Sequence, residues 1–241
     1  MLIIYDFISY TDVFTYNITT LESLLIYAMK TITYQSDYLG NGFEFATINQ
    51  PDDYEGKVVA TVIRKQCSMP SNKAVLYVHG FNDYFFQSDM AHRFNEKGFH
   101  FYAVDLRKYG RSTLPHHKSN NMRSLTEYFA DLDEALDIIR QEGNEQVLLS
   151  GHSTGGLLVT LYASERVGNE KFDTIFCNSP FYDMNMPGYQ KRLLVPLVAL
   201  FGKYFPDVLL PGKISEWYGH SLHGEKKGEW DYNLVWKPHL V

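Results

Sequence analysis

Val147-Leu148-Leu149-Ser150-Gly151-His152-Ser153-Thr154-Gly155-Gly156 decides how this chain is read. The apolar run 147–150 is a strand, and helical periodicity resumes at Leu157 and continues to Ser164. A strand that becomes a helix over so few residues crowds its own backbone, so small residues must flank the central serine. That serine stands at a helix N-terminus, where free N–H groups and the helix dipole favour a developing negative charge. The context is that of a nucleophile elbow. Ser153 is the candidate nucleophile, with Gly151, His152 and Gly155 as its frame; the competing reading is a glycine-rich packing turn.

Upstream, Ala74-Val75-Leu76-Tyr77-Val78 is a continuous apolar run, as a strand buried on both faces should be. It ends in His79-Gly80-Phe81-Asn82. In folds built around such an elbow, one oxyanion donor is the N–H after the nucleophile and the other comes from the loop after the third strand. Those donors are expected to be the backbone N–H groups of Thr154 and Phe81. Gly80 lets the loop approach a substrate closely, and His79 is expected to fix the loop by hydrogen bonding. Phe81 and Tyr84 either line an acyl pocket or pack beneath a lid.

A third segment, Asp105-Leu106-Arg107-Lys108-Tyr109-Gly110-Arg111-Ser112, comes after the apolar strand at 100–104. The strand–His-Gly loop, the strand–Asp-x-Arg-x-x-Gly-x-Ser turn and the Gly-x-Ser-x-Gly elbow occur in this order and at about this spacing in α/β-hydrolases. Within that superfamily the chain resembles the group containing monoglyceride lipases, lysophospholipases and serine aminopeptidases, most clearly over 42–180. It departs from many members at Lys108-Tyr109, where they carry Gly-His. The resemblance implies a mostly parallel α/β sheet flanked by helices, a cap-like segment after it, and a bracing role for Asp105.

Strands alternate with helices through the middle of the chain, which implies right-handed crossovers. Short β-rich runs at 43–49 and 57–64 flank a turn at 51–56, and a helix is expected over 84–97, stopped by Gly98. Ser124-Leu125-Thr126-Glu127 is a capping box that opens an apolar stripe of Leu125, Tyr128, Phe129, Leu132, Leu136 and Ile139. A further strand is expected at 173–178. A helix at 191–204 is expected to break near Pro196. These elements give three parts: an N-terminal extension over 1–41 with an amphipathic helix at 20–33, a hydrolase core over 42–180, and a cap or lid over 181–241.

A serine hydroxyl needs a base, and the base needs an acid to orient it. The expected chain order is Ser, then Asp or Glu, then His. After Asn178 no further strand–helix unit is readable. The histidines beyond Ser153 are His220, His223 and His239, all in cap-like sequence. His220 and His223 are weak candidates for the base and Asp183 for the acid, while Asp207 reads as a turn residue. The expectation is therefore the N-terminal two-thirds of a serine hydrolase, inactive or impaired as it stands, with 173–178 as an apolar sheet edge that favours aggregation.

Composition narrows the partners. The 241 residues carry a net charge of −6, which excludes a broad basic nucleic-acid footprint. Two cysteines, Cys67 and Cys177, make no disulfide framework and read as buried free thiols in a reducing, cytoplasmic setting. His116-His117 and His220-x-x-His223 lack supporting ligands for a metal, and the Gly151–Gly156 loop lacks the lysine of a phosphate-binding loop. No cofactor is expected. The expected partner is a small acyl ester, with a membrane surface left open. A peptidase acting at a free N-terminus needs a carboxylate to hold the ammonium, and the sequence nominates none clearly. The competing function is a non-catalytic module that binds an apolar ligand or protein on the same scaffold.

Overall fold

The computed structural model describes residues 32–166, 168, 171–183, 186–205 and 208. The helix expected at 20–33 lies outside them apart from Ile32 and Thr33, as do Asp207, His220, His223 and His239. Met1–Thr33 and Tyr34–Val241 form separate compact units, and the described sheet and helices belong to the second.

Seven strands are described: β1 (Gln35–Ser36), β2 (Glu44–Asp53), β3 (Gly56–Lys65), β4 (Lys73–Val78), β5 (His100–Asp105), β6 (Gln146–His152) and β7 (Thr174–Asn178). They form one sheet in the order β1-β2-β3-β5-β4-β6-β7. The first three strands join antiparallel, and β3 meets β5 antiparallel. From β5 through β4 and β6 to β7 every pairing is parallel. The helices are α1 (Ser88–Glu96), α2 (Phe129–Gln141), α3 (Thr154–Glu165) and α4 (Gly188–Tyr204). Among the described residues no helix is long and apolar enough to cross a membrane.

The strand order reflects the apolar runs. Val75, Leu76 and Val78 of β4 and Phe101, Ala103 and Val104 of β5 are fully buried, as expected of central strands covered on both faces. Phe43, Ile63, Val75, Tyr77, Phe85 and Phe101 belong to one packed cluster. The chain leaves β4 through α1 to pair on one side as β5, then returns through α2 to pair on the other side as β6. That reversal leaves a crevice beyond the C-terminal ends of β4 and β6, the position where open α/β sheets bind ligands. The loop after β4 begins at His79 and the turn after β6 holds Ser153, so both sequence motifs meet there.

Several boundaries differ from the sequence expectation. The turn at 51–56 shrinks to Tyr54-Glu55, because β2 continues through Pro51 with a register shift between Gln50 and Asp53; such an irregularity accommodates a residue with no N–H to give. Helix α1 starts at Ser88 rather than at 84, because Tyr84, Phe85 and Phe86 are buried and pack with other aromatic rings. Helix α4 runs unbroken through Pro196. The capping box at Ser124 and Glu127 is present, but it opens a 3-10 turn (Leu125–Tyr128) before α2 begins. Residues 34–41 are tied to the sheet: β1 pairs with β2, and Asp37 pairs with Arg111. Cys67 is buried, whereas Cys177 on β7 is only half-buried. As expected, the last strand of the order, β7, is an edge, and it exposes Ile175 and Phe176.

Candidate active site

Ser153 sits between β6 and α3 with φ 53° and ψ −119°. A non-glycine residue in this region is strained and persists only where its surroundings hold it. Here its N–H donates to Asn178 O at 3.1 Å, and its carbonyl accepts from Phe181 N–H at 2.9 Å and Leu157 N–H at 3.2 Å. The end of β7 therefore grips the backbone of the turn from both sides of the serine. Ser153 and its neighbours His152 and Thr154 are half-buried.

The glycines explain how the turn fits. A Cβ on Gly155 would lie 2.3 Å from His79 O and 2.4 Å from Val78 O, so the start of α3 rests directly on the end of β4. A Cβ on Gly151 would lie 2.4 Å from Gly155 O, and one on Gly80 would lie 3.2 Å from Ser153 Cβ. The His-Gly loop is thus packed against the serine. Gly155→Ala should lower stability by about 3 kcal/mol or more, since both clashing atoms are backbone and cannot rotate away. Urea unfolding measures this; an unchanged midpoint would mean that β4 and α3 can separate freely.

The two amides expected to hold an oxyanion, Phe81 N–H and Thr154 N–H, make no hydrogen bond among the described residues. Both residues border an apolar cavity of about 40 Å³ whose other walls include Tyr109, Met122, Leu125 and Leu158. Tyr84 does not border it and is buried. Phe81 is half exposed.

His79 is fully committed. Its Nε2 accepts from Leu106 N–H at 3.1 Å, which puts the ring proton on Nδ1, and Nδ1 lies 2.8 Å from Gly80 O. Burial holds its pKa below the ordinary histidine value. A neutral ring with both nitrogens occupied ties the end of β5 to the loop after β4 and takes no proton from Ser153. His152 Nδ1 lies 3.2 Å from Asn178 O. Asp183 pairs with Lys191. Asp105 accepts from Phe85 N–H and Arg111 N–H and pairs with the Arg111 guanidinium, so it braces the turn. Among the described residues no histidine or carboxylate hydrogen-bonds the Ser153 hydroxyl, and no group of side chains could hold a metal ion.

Sequence reasoning missed three buried ion pairs and acids. Lys108, at φ 65°, occupies the position where many relatives carry glycine or histidine; its Nζ lies 2.7 Å from Asp53 and 2.8 Å from Glu55. Both carboxyls are held below their ordinary values: burial is the largest influence and raises them, but the Lys108 ammonium and further hydrogen bonds outweigh it. Arg107 pairs with the fully buried Asp131 at 2.7 Å. Asp83, just past the His-Gly loop, is buried as well. Only Asp83 left a local signal, an acid four residues after His79.

A strained serine between strand and helix, at the reversal point of a parallel sheet, defines the class of α/β-hydrolases. A family model described as serine aminopeptidase, S33, matches residues 69–228, and this chain belongs to that hydrolase family. None of the curated proteins matches it in sequence. Similar solved structures include a soluble variant of monoglyceride lipase from Saccharomyces cerevisiae (18% identity, TM-score 0.51, over 78% of this chain and 58% of that one). A monoacylglycerol lipase from Paleococcus ferrophilus is 25% identical with a TM-score of 0.51, over 64% of this chain and 56% of that one. A thermostable carboxyl esterase from Bacillus coagulans is 16% identical with a TM-score of 0.53, over 72% of this chain and 61% of that one. The chain spans less than two thirds of the length of each.

Proposed function

We propose that this protein is a serine hydrolase acting on carboxylic esters, with Ser153 as nucleophile and an acyl-enzyme as intermediate. The observation that carries the reading is the left-handed Ser153 at the crevice, with the unpartnered N–H groups of Phe81 and Thr154 nearby. In the reaction, Ser153 Oγ attacks the acyl carbonyl and the two amides hold the oxyanion. The alcohol leaves and water then releases the acid. The apolar cavity beside Phe81 suits the acyl part of a substrate such as a monoacylglycerol or lysophospholipid, and monoglyceride lipases are among the similar structures. The free thiols of Cys67 and Cys177 suit a reducing, cytoplasmic setting.

Turnover by the 241-residue chain is impaired in this reading, because the described residues give Ser153 no base. The same observation favours a second reading, a non-catalytic scaffold that binds an apolar ligand. A fluorophosphonate probe separates them. Slow labelling that disappears in Ser153→Ala supports the hydrolase; labelling that is absent, or equal in both proteins, supports the binding scaffold.

A further inference from the structure

Four aspartates are buried among the described residues: Asp37, Asp83, Asp105 and Asp131. Asp37 and Asp105 pair with Arg111, and Asp131 pairs with Arg107. Asp83 has no cation among the described residues. Its Oδ1 accepts from Tyr84 N–H at 2.9 Å, and the Gly80 amide also bonds to its carboxyl. The carboxyl therefore spans the turn from Gly80 to Tyr84, and Phe81 lies inside that span. Asn82, at φ 52°, is held from outside by Asn120 Nδ2 at 3.0 Å. A gap of about 10 Å³, bordered by Asn82, Asp83, Tyr84, Lys108 and Asn120, lies alongside.

We propose that Asp83 is a positioning residue for the oxyanion loop, its lone carboxylate fastening Gly80 to Tyr84 so that the Phe81 amide between them stays in place. The inference rests on the hydrolase reading above. A carboxylate accepts from amides far better than a carboxylic acid does, so the tie is tight when Asp83 is ionised and slack when it is protonated. Burial pushes this carboxyl up to about 7; the Tyr84 and Gly80 amides pull it down, and Asp105 adds to the rise. The other charged and titratable groups around it are already engaged. Lys108 faces the same gap but pairs with Asp53 and Glu55, Arg111 pairs with Asp105 and Asp37, and the ring nitrogens of His79 are both bonded. Tyr84 and Tyr109 border the gap as phenols, and burial keeps Tyr109 above its ordinary value.

The sign for stability runs opposite to the sign for the loop. The folded-state value lies above the ordinary 3.8, so ionisation of folded Asp83 destabilises the protein progressively as pH rises from about 4 to about 7. A merely structural aspartate would give the reverse pattern. Asp83→Asn should therefore raise the melting temperature at pH 8 while slowing fluorophosphonate labelling of Ser153 on the order of tenfold, less than the loss of a whole oxyanion donor. Labelling of the unsubstituted protein should rise through pH 7, and that rise should be absent in Asp83→Asn.

Amide resonances provide a readout independent of reactivity. The Tyr84 and Gly80 N–H signals should titrate together with a midpoint near 7, and in Asp83→Asn this titration should vanish while β4 and β6 amides are unchanged. His152, whose ring lies near Gly80, titrates independently of Asp83, so any part of the Gly80 signal that survives the substitution belongs to it. The proposal is overturned if the Tyr84 amide does not titrate, or if labelling is Ser153-dependent yet keeps its rate and pH profile in Asp83→Asn. Absence of labelling in the unsubstituted protein overturns the hydrolase reading itself and the proposal with it.

Discussion

Hydrolysis of p-nitrophenyl butyrate by the 241-residue chain is expected to run barely above background, with Ser153→Ala removing the margin. Loss of the base from a comparable serine site lowers kcat by about 10⁶. His79 cannot fill that role, because both its ring nitrogens are bonded, to Leu106 N–H and Gly80 O. His152 lies against Asn178 O and Asp183 pairs with Lys191. What remains near Ser153 is a pair of amides, which by themselves sustain only a small fraction of a complete site's rate. Robust turnover that depends on Ser153 would overturn the expectation and place the base at His220, His223 or His239. Alanine at each of those positions in turn would then show which one takes the proton.

The second large effect concerns Asp131. Asp131→Ala should destabilise the fold by about 3–5 kcal/mol, the usual consequence of leaving one member of a buried ion pair alone. Arg107 would keep its charge with only 8% of its side chain exposed, and Arg107 N–H, which donates to Asp131 at 3.0 Å, would also lose its acceptor. Replacing both side chains, as in Arg107→Met with Asp131→Leu, should recover much of the loss. Recovery should stop short of full stability, because the Arg107 backbone amide stays unpaired. Urea melts of the two variants test this; a single substitution costing under about 1 kcal/mol would show that water reaches the pair.

The elbow was legible in the sequence because its constraint is local. Gly151, Ser153 and Gly155 lie within five residues, and the crowding that demands them is the turn's own. The strands at β4, β5 and β6 were legible for a similar reason, since burial on both faces writes itself as an unbroken apolar run. Tyr84, Phe85 and Phe86 misled the placement of α1: three aromatics before a helical stretch look like its first turn, and only the packed core shows that they fill it. Lys108 with Asp53 and Glu55, and Arg107 with Asp131, join positions far apart in the chain, and nothing in either neighbourhood announces the other. The positions of His220 and His223 relative to Ser153 lie outside the described residues, so the base is a matter for experiment.

The hold of β7 on the nucleophile gives the edge of the sheet an unexpected say in chemistry. Asn178 and Phe181 clasp the Ser153 backbone, yet Ile175 and Phe176 of the same strand face solvent. Border strands are the first to fray in local opening. Each fraying event would let a disfavoured backbone angle relax, and the hydroxyl would swing out of register with its amides. Deuterium uptake at the Ser153 amide is therefore a gauge of how often the site comes undone, and whatever braces that border also steadies the reaction.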